Sequence, residues 1–161
     1  MKSSLSDKIF LGLALFGLLT SDVWAGAVVR HHELKIRLFP SENRLAGVDE
    51  IEVRPESGAV LAFVLSERAK VKRVEVNGRS KKPFFKKGNL RIPLDTDERI
   101  GIIKVTIEYQ CVFDDPVPVM PVNMDNPGYG VTGIISEKGS FLLSGAGWYP
   151  TIPGSRPTFT L

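Results

Sequence analysis

Apolar and polar residues alternate along much of this chain with a period of two, the pattern of strands that bury one face. Between His32 and Phe39, leucine and isoleucine occupy alternate positions and charged residues stand between them. The strongest strand signal is Ile102–Phe113, where a row of apolar residues includes Cys111. The same pattern predicts strands over residues 49–54 and 72–76, and a hairpin of residues 131–136 and 140–143 around Glu137-Lys138-Gly139.

Two other stretches predict where a strand lies in its sheet. Residues 59–65 (AVLAFVL) are continuously apolar, which predicts a strand covered on both faces. Residues 90–94 contain Pro93, which has no N–H to donate, so this strand is expected at a sheet edge. Asn77-Gly78 and Lys87-Gly88-Asn89 predict tight turns, because these residue types tolerate positive φ.

Short strands separated by glycine and proline, without helical periodicity, predict an all-β fold. We expect one domain over residues 27–161, built as an antiparallel β-sandwich or as saddle-shaped, curved sheets. Residues 157–161 have the pattern of the beginning of a strand, so the fold is expected to be incomplete at its C-terminal end.

The first 25 residues have the pattern of a secretory signal peptide. Lys2 and Lys8 form a basic start, Ile9–Leu19 is apolar, and Val23 and Ala25 stand before a cleavage point. The pattern predicts a protein that is exported, either periplasmic or secreted. The alternative is an uncleaved N-terminal anchor, although the apolar stretch is shorter than the ~20 residues that span a bilayer.

The sole cysteine, Cys111, excludes an internal disulfide. It falls on the apolar side of its predicted strand. This position favours an inert buried thiol over a reactive one.

Basic residues are concentrated in Arg68–Arg91, which holds ten of them and one acidic residue, a local charge of +9 in a chain of net charge +3. Such a segment is expected either to contact an anionic surface or to keep sheet edges from pairing as a solvated face. The anionic surface would be lipid headgroups, glycans or an acidic protein. Nucleic acid is not expected, because the chain is predicted to be exported. The candidates for weak contact with an anionic membrane surface are Lys81, Lys82, Lys86 and Lys87.

Residues 114–130 are rich in proline, aspartate and asparagine, which predicts an irregular connection. Asp114, Asp115 and Asp125 allow a calcium site, because oxygen ligands on an irregular backbone suit that ion. Turn formation explains the same residues without an ion.

Several of these signals occur in a recognisable order and spacing. The stretches are His31–Leu38, Leu45–Val53 with its small Ala46-Gly47 pair, Val71–Gly78 with its Asn-Gly turn, and Ile103–Tyr109. A later corner adds Gly145, Trp148, Tyr149 and Pro150. Together they resemble the N-terminal β-domain of zinc metallopeptidases of the aminopeptidase N and leukotriene-hydrolase type, the gluzincins.

The resemblance implies a supporting domain, because in this family the zinc lies in a later domain on a helix with the motif His-Glu-x-x-His. The only His-Glu pair here is His32-Glu33, and Ile36 stands where the second histidine is needed. His31 and His32 point to opposite faces of a strand, so a core or solvated pair is expected rather than a metal site. We expect no catalytic residue, metal or cofactor in this chain, and zinc only in a catalytic domain that it lacks.

Two further family motifs do not transfer. Val122–Asn126 (VNMDN) is slightly similar to the exopeptidase motif Gly-x-Met-Glu-Asn, but its glycine is missing and aspartate replaces glutamate, so we interpret it as a coincidence. Leu142, Leu143 and Ser144 stand where many members carry a substrate-binding Gln or Glu. No substrate-binding residue is therefore assigned.

Three functions are compatible with the sequence. The first is the non-catalytic scaffold domain of an exported zinc aminopeptidase-like protein, truncated or fragmentary and inactive alone, with a catalytic domain or another protein surface as its partner. The second is a free-standing periplasmic β-sandwich module that binds a partner through Arg68–Arg91 or the proline-rich connection. The third is a small hydrolase that uses residues not recognised above.

Overall fold

The computed structural model describes residues 26–56, 58–116 and 132–161. In these ranges the chain forms eleven β-strands and three short 3-10 helices, and no α-helix. The strands are β1 (Ala27–Phe39), β2 (Arg44–Pro55), β3 (Val60–Val64), β4 (Lys70–Val76), β5 (Arg79–Ser80), β6 (Phe84–Lys86), β7 (Asn89–Pro93), β8 (Ile103–Val112), β9 (Gly133–Ser136), β10 (Gly139–Leu142) and β11 (Thr158–Thr160). The 3-10 helices are Pro40–Glu42, Thr96–Arg99 and Ser144–Ala146.

The described strands form three sheets. The large sheet has the order β11-β1-β2-β8-β4-β5, the small sheet has the order β3-β7-β6, and β9 and β10 form the predicted hairpin. All of these strand pairs are antiparallel except β1 and β11, which are parallel. The predicted all-β fold is confirmed, and its mainly antiparallel sheets are consistent with a β-sandwich.

The inner faces of the large and small sheets share one hydrophobic core. β8 lies between β2 and β4, and it buries the whole of the predicted apolar row, in which each aliphatic or aromatic side chain contributes about 1.5–3 kcal/mol. Cys111 belongs to this row, so the predicted buried thiol is confirmed. Burial raises the pKa of the Cys111 thiol and keeps it protonated.

Both predicted tight turns are present. Asn77 and Gly78 have φ angles of 50° and 77° and join β4 to β5, while Lys87 and Gly88 have φ angles of 47° and 78° and join β6 to β7. Positive φ at both central residues matches the twist of antiparallel hairpins.

β7 is the central strand of the small sheet, so the prediction that Pro93 marks an edge strand is wrong. The N–H of Leu94 donates to the carbonyl of Ala59 beyond the start of β3. Backbone N–H groups point alternately to the two sides of a strand, so the nitrogen of Pro93 points toward β6. The pairing of β6 with β7 extends only to the Phe84–Arg91 pair and does not reach Pro93. Proline is tolerated here because no neighbouring strand needs its missing N–H.

β3 buries one face only, so the prediction that residues 59–65 are covered on both faces is also wrong. Leu61 and Phe63 point into the core, whereas Val60 is exposed. β3 is itself the edge strand, paired with β7 on one side and with Thr151 at a single bridge through Val64.

Some predictions fall outside the described residues. They concern the signal peptide over residues 1–25, Asp125, and the exopeptidase-like stretch Val122–Asn126. Within the described ranges, no helix has the length and apolar character needed to cross a membrane.

Candidate functional site

The corner from Gly145 to Pro150 follows β10 and leads the chain back over the core. Its required glycine is Gly147, which has a φ of 63° and whose Cβ, if present, would lie 2.5 Å from the backbone nitrogen of Ser66. The N–H of Ser66 donates to the carbonyl of Gly147 at 2.8 Å. Gly145, which was predicted to be a structural position of the corner, has open space around its Cβ position.

The residues after Gly147 attach the corner to both sheets. The hydroxyl of Tyr109 on β8 donates to the carbonyl of Trp148 at 2.9 Å. Pro150 is buried, and the backbone of Thr151 exchanges hydrogen bonds of 2.9 and 2.7 Å with Val64 on β3. The corner therefore closes one end of the core between the large and small sheets.

An aromatic cluster lies beneath the corner and includes His32 of β1. The imidazole of His32 stacks on Phe159 of β11 with ring centroids 4.9 Å apart, and it meets Tyr149 edge to face at 5.6 Å. Tyr149 also contacts Trp148 and Phe159 with its ring, at centroid distances of 4.5 and 5.5 Å. The cluster fastens β11 and the corner to the same histidine.

His32 forms a buried polar pair with Asp49 of β2. Its Nδ1 lies 2.7 Å from Oδ2 of Asp49, and the side chains are 1% and 0% exposed. Burial raises the pKa of the Asp49 carboxyl, while the hydrogen bond from His32 opposes that shift. Oδ1 of Asp49 has no hydrogen-bond partner among the described residues. Burial and, secondarily, the charge of Asp49 raise the pKa of the neighbouring Tyr109 hydroxyl, which stays protonated and able to donate.

Asp49 was not predicted as a site residue from the sequence, although the signal was present. Asp49 occupies an apolar phase of β2, in register with Leu45, Gly47, Ile51 and Val53. A carboxylate in that phase must be buried, and a buried carboxylate needs a partner. His32, one strand away and in phase with Leu34, is that partner.

The predicted placement of the two histidines on opposite faces of β1 is confirmed. His31 is on the outer side, where its Nδ1 lies 2.7 Å from Oγ1 of Thr158. His32 is therefore a core histidine.

The chemistry open to the His32–Asp49 pair is limited. In hydrolases such a pair activates a hydroxyl or thiol at the other imidazole nitrogen. Within residues 26–56, 58–116 and 132–161, no hydroxyl or thiol is hydrogen-bonded to His32. The cavity that it lines with Tyr149 and Ser155 measures about 50 Å³, the size of a few water molecules. The pair is therefore suited to holding strands together.

Candidate metal ligands are scattered over the fold. No three His, Cys, Asp or Glu side chains in the described part of the chain are grouped so that they could hold an ion. Arg68 forms ion pairs with both Asp114 and Asp115, and Asp115 also accepts hydrogen bonds from the N–H groups of Thr132 and Gly133 at 2.8 and 2.9 Å. These bonds lower the pKa of Asp115 to about 2. They make Asp115 a loop-fastening residue, which favours the turn interpretation over calcium.

The fold neutralises much of the basic segment Arg68–Arg91. Arg73 bonds to Glu75 and Glu108, and Arg79 bonds to Asp97 and Glu98. Lys81 is also drawn in, because its ammonium lies 2.7 Å from both Asp95 and Glu98 and its side chain is 8% exposed.

The structure thus separates Lys81 from the other three lysines proposed to contact an anionic surface. Lys82, Lys86 and Lys87 are exposed and make no ion pair with any described residue.

An apolar groove lies on the core face of β1 next to the corner. Its volume is about 580 Å³, and Leu38, which lines it, is 41% exposed. The other apolar lining residues are Leu34, Ile36, Leu45, Leu142, Trp148 and Leu161. Within the described residues, this groove leaves part of its apolar lining open to solvent.

Comparison with known proteins gives matches in structure. No protein-family model and no curated protein matches the sequence. The fold matches an M1 zinc metallopeptidase from Deinococcus radiodurans bound to a Tyr-Ser-Ala substrate with a TM-score of 0.61 and 20% identity, covering 83% of this chain and 31% of that one. It matches a two-domain M1 zinc metallopeptidase bound to L-arginine with a TM-score of 0.61, 19% identity and the same coverage.

The match extends to native yeast LTA4 hydrolase, with a TM-score of 0.55 and 14% identity over 83% of this chain and 22% of that one. The chain thus spans about a third or less of the length of the structures that it matches. The resemblance expected from the sequence is confirmed at the level of fold: this chain is folded like the N-terminal portion of M1 zinc metallopeptidases and LTA4 hydrolase.

Proposed function

We propose that this chain is the non-catalytic scaffold domain of an exported zinc aminopeptidase-like protein and that it packs against a catalytic domain. The observation that carries the proposal is the structural match, which covers 83% of this chain but only 31% of an M1 zinc metallopeptidase. The part of the M1 chain left over is where a separate catalytic domain has room to lie. Export rests on the signal pattern of residues 1–25.

The apolar groove is the proposed packing surface. Its lining residues come from β1, β2, the end of β10, the corner and the residue after β11, and the core and the His32 cluster hold β1 and the corner in place. Leu38 and Leu161, which line the groove, are 41% and 86% exposed, so a partner that covers them gains apolar burial worth about 25 cal/mol per Å².

Two observations favour a supporting role over a small hydrolase. The buried His32–Asp49 pair reaches only a cavity of about 50 Å³, which does not admit a peptide. Cys111, the one thiol of the chain, is buried in the core and its pKa is raised.

The proposal is tested with an antibody raised against this chain and used on the cells that produce it. We expect the precipitate to hydrolyse amino-acid anilides, and a chelator to abolish that activity, because the protein should bring its zinc domain with it. Leu38→Lys in the native gene should lower the precipitated activity severalfold by placing a charge in the groove. Ile100→Lys, at an apolar residue that is 79% exposed and outside the groove, is the matched control. A precipitate without chelator-sensitive activity would refute the scaffold role.

A further inference from the structure

The strand β6 presents an exposed aromatic ring between lysines that make no ion pair with any described residue, and none of these residues lines the apolar groove. We propose that this surface, made of Lys82, Phe84, Lys86 and Lys87 and here called the lysine–phenylalanine surface, docks onto a membrane that carries anionic lipid headgroups. The inference is separate from the scaffold role, since it uses different residues and a different partner.

The backbone places the surface on one face. Within β6 (Phe84–Lys86), Phe84 and Lys86 are exposed and Phe85 is partly buried, so Phe84 and Lys86 point outward together. Lys82, in the short connection before β6, is also exposed. Phe85 points inward and packs against the core. Lys87 stands beside Lys86 in the tight turn, with a φ of 47°.

The inward-facing groups hold this surface rigidly. The N–H of Lys81 donates to the carbonyl of Val74 on β4 at 2.9 Å, and its ammonium is fixed by Asp95 and Glu98. At the other end, the carbonyl of Gly88 accepts a hydrogen bond from Leu65 at 2.8 Å. A surface anchored at both ends loses little conformational entropy when it docks.

The charge pattern favours a surface that is anionic. Between Arg68 and Arg91, four basic side chains form ion pairs with acidic residues: Arg68, Arg73, Arg79 and Lys81. Lys82, Lys86 and Lys87, near Phe84, form no ion pair with any described residue, so their charges remain available to an anionic surface. Each lysine close to an anionic lipid surface strengthens binding about fivefold.

The exposed phenylalanine favours a lipid surface over a merely solvated face. Phe84 is 58% exposed and stands between Lys82 and Lys86 in the sequence, which combines an exposed apolar ring with positive charges as interfacial surfaces do. In an interfacial position the ring enters the boundary between headgroups and acyl chains while the lysines remain at the phosphates.

The test is co-sedimentation of the purified full chain with vesicles of phosphatidylcholine and phosphatidylserine. We expect binding at low ionic strength, loss of binding in about 1 M salt, where the Debye length is about 3 Å, and no binding to phosphatidylcholine alone. Replacing Lys82, Lys86 and Lys87 by glutamine should weaken binding about a hundredfold. The matched control is Lys70→Gln, Lys72→Gln and Lys138→Gln, which removes the same charge from exposed lysines on the large sheet and the β9–β10 turn.

A second measurement reports on the ring. Phe84→Trp should add tryptophan fluorescence that shifts to shorter wavelength with anionic vesicles, relative to the unchanged chain, and Phe84→Ser should weaken binding severalfold. Equal loss in the two triple variants would overturn the proposal, because net charge alone would then explain binding. Tight binding to soluble heparin without a fluorescence shift on vesicles would also overturn it, since the surface would then be a site for polyanions rather than membranes.

Discussion

Nδ1 of His32 lies 2.7 Å from Oδ2 of Asp49, and both side chains are sealed from solvent between β1, β2 and the aromatic rings of the corner. This pair links the first two strands of the large sheet to β11 and to the corner. Because the pair contacts all four of these elements, it has a structural role in an otherwise apolar core.

The free energies of unfolding lost on removing Asp49 and on removing His32 should not be additive. Each single variant leaves the other polar side chain buried without its partner, whereas the double variant does not. Asp49→Ala is expected to cost about 3 kcal/mol, because the imidazole loses its buried partner. In a double-mutant cycle with His32→Ala, we expect a coupling energy of about 1–3 kcal/mol from urea unfolding. Additive single effects would show that the two side chains do not stabilise each other. His31→Ala, on the exposed side of β1, is the control and should change stability by less than about 1 kcal/mol.

The three glycines near the corner should respond differently to alanine. Gly147→Ala meets the Ser66 backbone at 2.5 Å and has positive φ, so it should cost at least about 3 kcal/mol and loosen the corner. Gly154→Ala meets no atom within 4 Å but has a φ of 84°, so it should cost about 1 kcal/mol. Gly145→Ala has neither problem and should be near neutral. Thermal unfolding measures the series, and any other order would contradict the assigned geometry.

Glu98 should be the acidic residue on which the basic segment depends most. It is 0% exposed and accepts hydrogen bonds from Arg79 at 2.8 Å and from the N–H of Asp95 at 2.8 Å, while Lys81 lies 2.7 Å away. Glu98→Ala should therefore cost about 2–3 kcal/mol, because the nearly buried ammonium of Lys81 keeps only the exposed Asp95 as a partner and the N–H of Asp95 loses its acceptor.

The matched control for Glu98 is Asp97→Ala. Asp97 also pairs with Arg79 but is 66% exposed, and its loss should change stability by within about 0.5 kcal/mol. Equal costs for the two variants, measured by chemical denaturation, would show that the burial of Glu98 is unimportant.

Asp115 should stabilise the β8–β9 connection in a pH-dependent way. Its pKa is lowered from 3.8 to about 2, chiefly by hydrogen bonds from Gly133 and Thr132. A lowered pKa in the folded state gives stability that is present above pH 3.8 and is lost as the pH falls toward about 2. The difference in unfolding free energy between wild type and Asp115→Asn should be about 1 kcal/mol at pH 6 and should shrink below pH 4. A difference that is constant with pH would contradict the assignment.

The sequence predicted where the strands lie along the chain better than it predicted which strands pair with each other. Alternation identified β1, β2, β4 and β8, because burial of one face leaves a direct record in residue order. The central position of β7 and the parallel pairing of β11 depend on contacts between strands that are distant in the sequence. Pro93 led to the wrong prediction of an edge strand, because the end of a central strand can lack a neighbour on one side.

The candidate site was predicted in part. The Trp148–Pro150 corner was recognised, but its required glycine and the His32–Asp49 pair were missed, although Asp49 in an apolar phase was a usable signal. The pairing of Lys81 was beyond sequence reasoning, because its acidic partners follow a different strand and meet it only in the folded chain.

We infer that this domain supplies a folded support and leaves the chemistry to a partner. The most direct measurement is hydrolysis of amino-acid anilides by the purified chain alone, with zinc and then with a chelator, beside an M1 zinc metallopeptidase as positive control. We expect no turnover above the protein-free blank under either condition. Turnover by the purified chain that is lost in Asp49→Ala or His32→Ala, while circular dichroism shows an intact β-fold, would contradict it.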